Sequence, residues 1–158
     1  MKILLTIDHS KRSEDAIAYA ASLIRADGNE VRVLNVIEHR SVYLSADLIP
    51  HRVKETIDTI TSEQADAREL VDRAAAALQR AGITAKGVVE SGDPKTVILA
   101  YAGKWGADLI LLTSRGLKGL DRLIMGSVSN AVMHHAECSV QVMLLPAARA
   151  KGTKKSAR

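Results

Sequence analysis

Glycines, hydroxyls and basic side chains gather in one stretch of this 158-residue chain. It runs Thr113-Ser114-Arg115-Gly116-Leu117-Lys118-Gly119, then Leu120 to Met125, then Gly126-Ser127-Val128-Ser129. Glycines let backbone amides approach a ligand with no Cβ in the way. Gly126-Ser127 stands where a helical pattern begins, which offers unsatisfied N–H groups and the positive end of the helix dipole. Ser127 and Ser129 would add hydroxyl donors, and Arg115 and Lys118 positive charge. On spacing alone two readings stand. The run is a phosphate cradle, or it is a loop shaped by its glycines ahead of a helix that Ser127 caps.

Other chemistries lack their residues. No Gly-x-Gly-x-x-Gly follows a strand pattern and no Gly-x-x-x-x-Gly-Lys-Ser/Thr occurs, which leaves nicotinamide and Walker-type sites unsupported. His-Glu-x-x-His and Gly-x-Ser-x-Gly are absent as well. His134-His135 are helix neighbours pointing about 100° apart, so they read as structural or exposed rather than as a metal pair. Cys138, the one cysteine, excludes a disulfide framework and fits a reducing compartment. At the start of the last strand it reads as a small buried residue, not a reactive thiol.

A loop of this kind needs a scaffold, and the apolar pattern supplies one. Ile3 to Ile7, Val31 to Ile37, Thr84 to Val89, Leu109 to Leu112 and Val140 to Leu145 are short branched runs that read as strands buried on both faces. Helical stripes lie between them. Ile17, Ala20, Ala21 and Ile24 form the first, ending at Asp27-Gly28; Ala67, Leu70, Val71, Ala74 and Leu78 form the second, entered at Thr61-Ser62 and closed by Gly82. The third opens on Asp93-Pro94 and carries Ile98, Tyr101, Ala102 and Trp105. The fourth runs from Gly126-Ser127 to about Ala136. The long connection from His39 to Ile60 reads as a lid or a partly helical insertion. Alternating strands and helices imply right-handed crossovers and one open, parallel, Rossmann-like α/β sheet with helices on both faces. Ligands of such sheets bind beyond the carboxyl ends of the strands, where strand order reverses. The informative loops are therefore Asp8-His9-Ser10, Glu38-His39, Glu90-Ser91-Gly92-Asp93 and the run from Thr113.

The composition, 47% hydrophobic and 25% charged, suits one domain. The net charge of +4 resides at the end of the chain, where residues 147–158 hold Arg149, Lys151, Lys154, Lys155 and Arg158 and no acid. Without those five the chain has 17 basic and 18 acidic residues, not the basic face of a nucleic-acid binder. The expected organisation is a domain over residues 1–146 and a disordered basic tail over 147–158. Aromatics at 3% with no phenylalanine argue against base stacking. No apolar run approaches the roughly 20 residues of a membrane span. Met1-Lys2 leads straight into a strand pattern without signal-peptide architecture, so a cytoplasmic protein with no membrane or specific nucleic-acid partner is expected.

Together these residues resemble the universal stress protein family, in its ATP-binding branch. The resemblance is carried by Lys2-Ile3-Leu4-Leu5 through Asp8-His9-Ser10, Asn35-Val36-Ile37-Glu38, Ser91-Gly92-Asp93-Pro94, Ala107-Asp108-Leu109-Ile110, Ser114-Arg115-Gly116 through Gly126-Ser127-Val128-Ser129, and Ala136-Glu137-Cys138-Ser139-Val140. The family's nucleotide signature is Gly, two residues, Gly, nine residues, then Gly-Ser or Gly-Thr. Gly116 and Gly126-Ser127 match it, whereas Thr113 stands at the first glycine and Gly119 lies inside the spacer. The resemblance implies the sheet order 3-2-1-4-5 and an adenine nucleotide, ATP with Mg2+ held largely by phosphate oxygens and water. Carried over by position, Asp8 meets the ribose side, the Val36 backbone the adenine edge, and Thr113 the ribose. Arg115 and Gly116 meet the phosphates, and the Ser127-Val128 amides the terminal ones; Ile7, Leu112, Ser114 and Ser129 complete the site. It also implies a stress-linked binding and signalling module, a homodimer paired through Val140 to Leu145, and no catalytic or metal-ligating side chain. Two alternatives remain. Thr113 favours a non-nucleotide-binding dimeric interaction protein of the same fold. Slow ATP hydrolysis would use Asp8 to orient water, although no second carboxylate stands beside it in sequence.

Overall fold

The computed structural model describes residues 1–10, 13–38, 50–113 and 126–143. In chain order the elements are β1 (Lys2–Thr6), α1 (Ser13–Leu23), β2 (Glu30–Ile37), α2 (Pro50–Arg80), β3 (Thr84–Ser91), α3 (Pro94–Trp105), β4 (Leu109–Thr113), α4 (Ser127–His135) and β5 (Ser139–Met143). The strands form one parallel sheet in the order β3-β2-β1-β4-β5. That is the order the resemblance implied. It places the reversal between β1 and β4, whose chains leave in opposite directions and open a crevice at the carboxyl edge.

Two apolar layers hold the helices in place. Alternate side chains of β1 and β2 (Ile3, Leu5, Val31 and Val33) meet Ile17 and Ala20 of α1 and Leu70, Val71, Ala74 and Leu78 of α2. The intervening side chains (Leu4, Leu34) join Ile110 and Leu112 of β4 against Ile98 and Ala102 of α3 and Val132 of α4. The central strands thus bury both faces, which is why they read as unbroken apolar runs. Strand β3 and helix α2 approach especially closely. A Cβ at Gly87 would stand 2.7 Å from Val71 Cγ2 and 2.9 Å from the Val71 backbone carbon, so only glycine fits under the helix.

Two elements depart from the sequence reading. β5 alternates, with Ser139 and Gln141 exposed and Val140 and Val142 half-buried against the α3–α4 layer. The expectation of a strand buried on both faces holds at Met143, which is buried with the α1–α2 layer, and fails toward the start of this edge strand, where Ser139 and Gln141 of the same face are exposed. Leu144 and Leu145 lie outside the described residues. α2 starts at Pro50, not at Thr61-Ser62. Proline is at home in a first helical turn, and no helix breaker interrupts the chain between Pro50 and Arg80. Thr61 and Ser62 are mid-helix residues, and every residue from 59 to 66 is exposed. The connection after β2 is therefore helical from residue 50 onward; its residues 39–49, like the basic tail, lie outside the described residues. α3 is built as its sequence announces. Asp93 takes the N-cap, its carboxylate accepting from Thr96 N at 3.1 Å and Thr96 Oγ1 at 2.8 Å, with Pro94 at the first helical position. Gly106 ends the helix with φ of 71°.

Candidate functional site

Three strand ends meet at the crevice. The β1 chain makes its last ladder bond from Ile7 N to Leu34 O at 3.0 Å. Beyond it the half-buried Asp8 accepts from Ser10 N through Oδ1 at 3.1 Å, an Asx turn that leads toward α1. At the β2 end Val36 is half-buried on the α3–α4 side, and Gly92 N donates to Ile37 O at 3.0 Å, tying the exits of β2 and β3 together. At the β4 end Leu112 is buried, and Thr113 is half-buried and paired with Met143.

The α4 N-terminus completes the edge. Gly126 is its N-cap, with φ −60° and ψ 155°, and no side chain caps the helix. The reading in which Ser127 caps the helix fails, since Ser127 is already the first helical residue. The amides of the first turn, Ser127 to Ser129, have no acceptor within the helix by construction. A Cβ at Gly126 would meet no described atom within 4 Å. Neither the backbone conformation nor packing among the described residues calls for glycine at this position. Ser127 is exposed, Val128 packs into the α3–α4 layer and Ser129 is buried. Ser127 thus stands exposed at the start of this turn, and Ser129 is buried two residues on.

The structure thus brings Ile7, Asp8, Val36, Leu112, Thr113, Gly126, Ser127, Val128 and Ser129 to one edge of the sheet, in the loops and helix that flank the reversal. Ser114, Arg115 and Gly116 lie outside the described residues. The universal stress protein family model matches residues 1–143.

The chain belongs to the universal stress protein family.

A universal stress protein of Synechocystis sp. is 31% identical over 151 residues, covering 90% of this chain and 96% of its own. The structure is similar to that of universal stress protein UspA from Lactobacillus plantarum, with a TM-score of 0.68 at 25% identity, over 91% of this chain and 97% of the other. It also shares the fold of a universal stress protein from Archaeoglobus fulgidus solved in complex with dAMP, with a TM-score of 0.59 at 20% identity, over 90% and 96% of the two chains.

Against the family signature, Thr113 is the departure, and the backbone absorbs it. The residue closes β4 in extended conformation, and no described non-glycine residue has positive φ. A β-branched side chain is at ease there. The remaining conspicuous groups serve the fold. Hydrogen bonds from the Thr96 hydroxyl and amide hold the Asp93 carboxyl below its ordinary value, so this acid of the β3 loop is committed to capping α3. Burial, with the Asp108 carboxylate nearby, pushes the Cys138 thiol up. Cys138 is half-buried just ahead of β5, and His134 and His135 are exposed at the end of α4. Among the described residues no three His, Cys, Asp or Glu side chains gather as a metal site. An open depression of about 650 Å³ lies at the opposite, amino edge, lined in part by Met1, Lys2, Glu30 and Asp108. Its polar groups are used internally, Asp108 Oδ2 accepting from Lys2 N at 2.7 Å and the Met1 amine donating to Gly28 O at 2.6 Å. One contributor to the carboxyl edge is missing from the sequence-derived site. Asn35, 3% exposed, donates through Nδ2 to Ile7 O at 2.9 Å. A carboxamide on the strand face that otherwise carries Val31 and Val33 is the signal that marks it.

Proposed function

We propose that this universal stress protein binds an adenine nucleotide, ATP with Mg2+, at the carboxyl edge between β1 and β4. Gly126 carries the proposal: it caps α4 in a conformation open to any residue, with no described atom within 4 Å of where a Cβ would be. A glycine that the fold does not require is explained by a group that must come close to the helix amides, and a helix N-terminus favours phosphate. In this reading Asp8 and Thr113 face the ribose and the Val36 backbone the adenine. The amides of Ser127 and Val128, with Ser114, Arg115 and Gly116, take the phosphates, and Ile7, Leu112 and Ser129 line the site. In this proposal Mg2+ is held by phosphate oxygens and water. The fold shared with the dAMP complex is compatible with such a ligand.

The protein acts in this proposal as a cytoplasmic binding and signalling module, without catalysis. It is a homodimer paired through β5 and the residues after it, since β5 is an edge strand that exposes Ser139 and Gln141. A single monomer mass by light scattering across micromolar concentrations would remove the dimer. Native mass spectrometry of the purified protein and titration with MgATP test the ligand. Saturable binding with no phosphate release over hours supports a binding module. Phosphate release above that of a Gly126→Val control supports slow hydrolysis instead. The absence of saturable binding up to millimolar ATP supports the non-nucleotide reading that Thr113 favours.

A further inference from the structure

We propose that Asn35 is a positioning residue of the nucleotide site, holding the Ile7–Asp8 peptide in the orientation the ligand meets. The inference rests on the nucleotide reading above and deepens it. Asn35 stands on the β2 face that otherwise carries Val31 and Val33, in the layer packed by α1 and α2. For packing alone an apolar side chain would serve better there, because a buried amide must find partners. It finds one. Nδ2 donates to Ile7 O at 2.9 Å, while Oδ1 is buried with no hydrogen-bond partner among the described residues. The carbonyl at Ile7 also fixes which end of the carboxamide faces it, since only the NH2 can donate.

The location of that bond gives it meaning. Ile7 N closes the β1–β2 ladder on Leu34 O, so Ile7 O is the first carbonyl past the ladder, where the chain leaves the sheet. Asn35 extends the pairing by one side-chain bond at that point. The peptide plane it fixes contains the Asp8 N–H, and the Asp8 side chain springs from its far end. From there the chain turns through Ser10 N to Asp8 Oδ1 at 3.1 Å and Ser13 N to Ser10 O at 3.1 Å into α1. A buried, rigid donor under the peptide thus sets the direction of an acid at the ligand crevice without touching the ligand.

Titration of the full chain with MgATP tests this on wild type, Asn35→Leu, Asp8→Ala and the double variant. Asn35→Leu is expected to weaken binding about tenfold, and to have no further effect in the Asp8→Ala background, because it acts through that residue. Asn35→Val, matching Val31 and Val33 on the same face, removes the donor without burying a new polar group; it is expected to show the same loss and carries the test if the leucine variant does not fold. A merely structural role would lower melting temperature and leave the affinity of the folded variants unaltered. Unaltered affinity, or losses that multiply in the double variant, overturns the assignment and leaves the nucleotide reading standing. A wild type that binds no nucleotide overturns that reading, and this one with it.

Discussion

Replacing Gly126 by valine separates the fold from the site. The backbone there, φ −60° and ψ 155°, is open to a branched residue, and no described atom lies within 4 Å of the new Cβ. The cost to folding is then the difference between glycine and an apolar residue at an N-cap, about 1 kcal/mol or less. For a domain of this size that lowers the melting temperature by about 2–4 °C. Binding responds differently. Hydrogen bonds from amides to a charged phosphate contribute about 1.5–3 kcal/mol each. Methyl groups that hold the phosphates off two such amides remove about 3–6 kcal/mol, a hundredfold or more in affinity. Calorimetry with MgATP reads the second effect and a thermal melt without ligand reads the first. A melt with nucleotide at a hundred times the wild-type Kd links them. The wild type should gain about 2.7 kcal/mol of stability, and Gly126→Val little or nothing. Two results would refute the reasoning. A fall of more than 10 °C without ligand would show that glycine is structural after all, and unchanged affinity would show that the α4 N-terminus holds no phosphate.

Thr113→Gly should change ATP affinity by less than about tenfold, since the extended strand end accepts threonine without strain; calorimetry that finds binding only in the glycine variant would show that Thr113 closes the site. Gly87→Ala forces a methyl group to 2.7 Å from Val71 Cγ2 and 2.9 Å from backbone, and should cost about 1–3 kcal/mol in chemical denaturation. Adding Val71→Ala should recover part of that loss, because the side-chain clash goes and the backbone one stays. Asp93, whose carboxyl is held below its usual 3.8, contributes stability above that pH and loses it as pH falls through the lower folded value. Melts across the acid range should therefore show wild type and Asp93→Ala converging only below pH 3.8, and curves that stay equally far apart would exclude the cap as the cause.

Local chemistry was legible in this sequence wherever one short segment sufficed to settle it. Asp93-Pro94 announces the start of α3 because cap and first turn are adjacent in the chain. The central strands announce themselves because burial on both faces leaves no polar alternation to confuse the pattern. What escaped depends on neighbours distant in sequence. The run from Val140 reads as a strand buried on both faces, yet its place at the edge exposes Gln141, and Ser139 ahead of it. Thr61-Ser62 resembles a cap, but caps act only where a helix begins, and here the helix has already run from Pro50. The same limit applies to the site. Its loops followed from topology, and the helix phase at Ser127 to Ser129, which turns one serine outward and the other inward, needed the packing of Val128 and Val132 against the sheet. Asn35 shows the limit most directly. In the sequence it is a polar residue where the alternation of Val31 and Val33 calls for an apolar one. Only the parallel pairing of β1 with β2 sets its amide under the Ile7 carbonyl, 28 positions away in the chain, and so turns a blemish in the hydrophobic pattern into a support for the acid at the crevice.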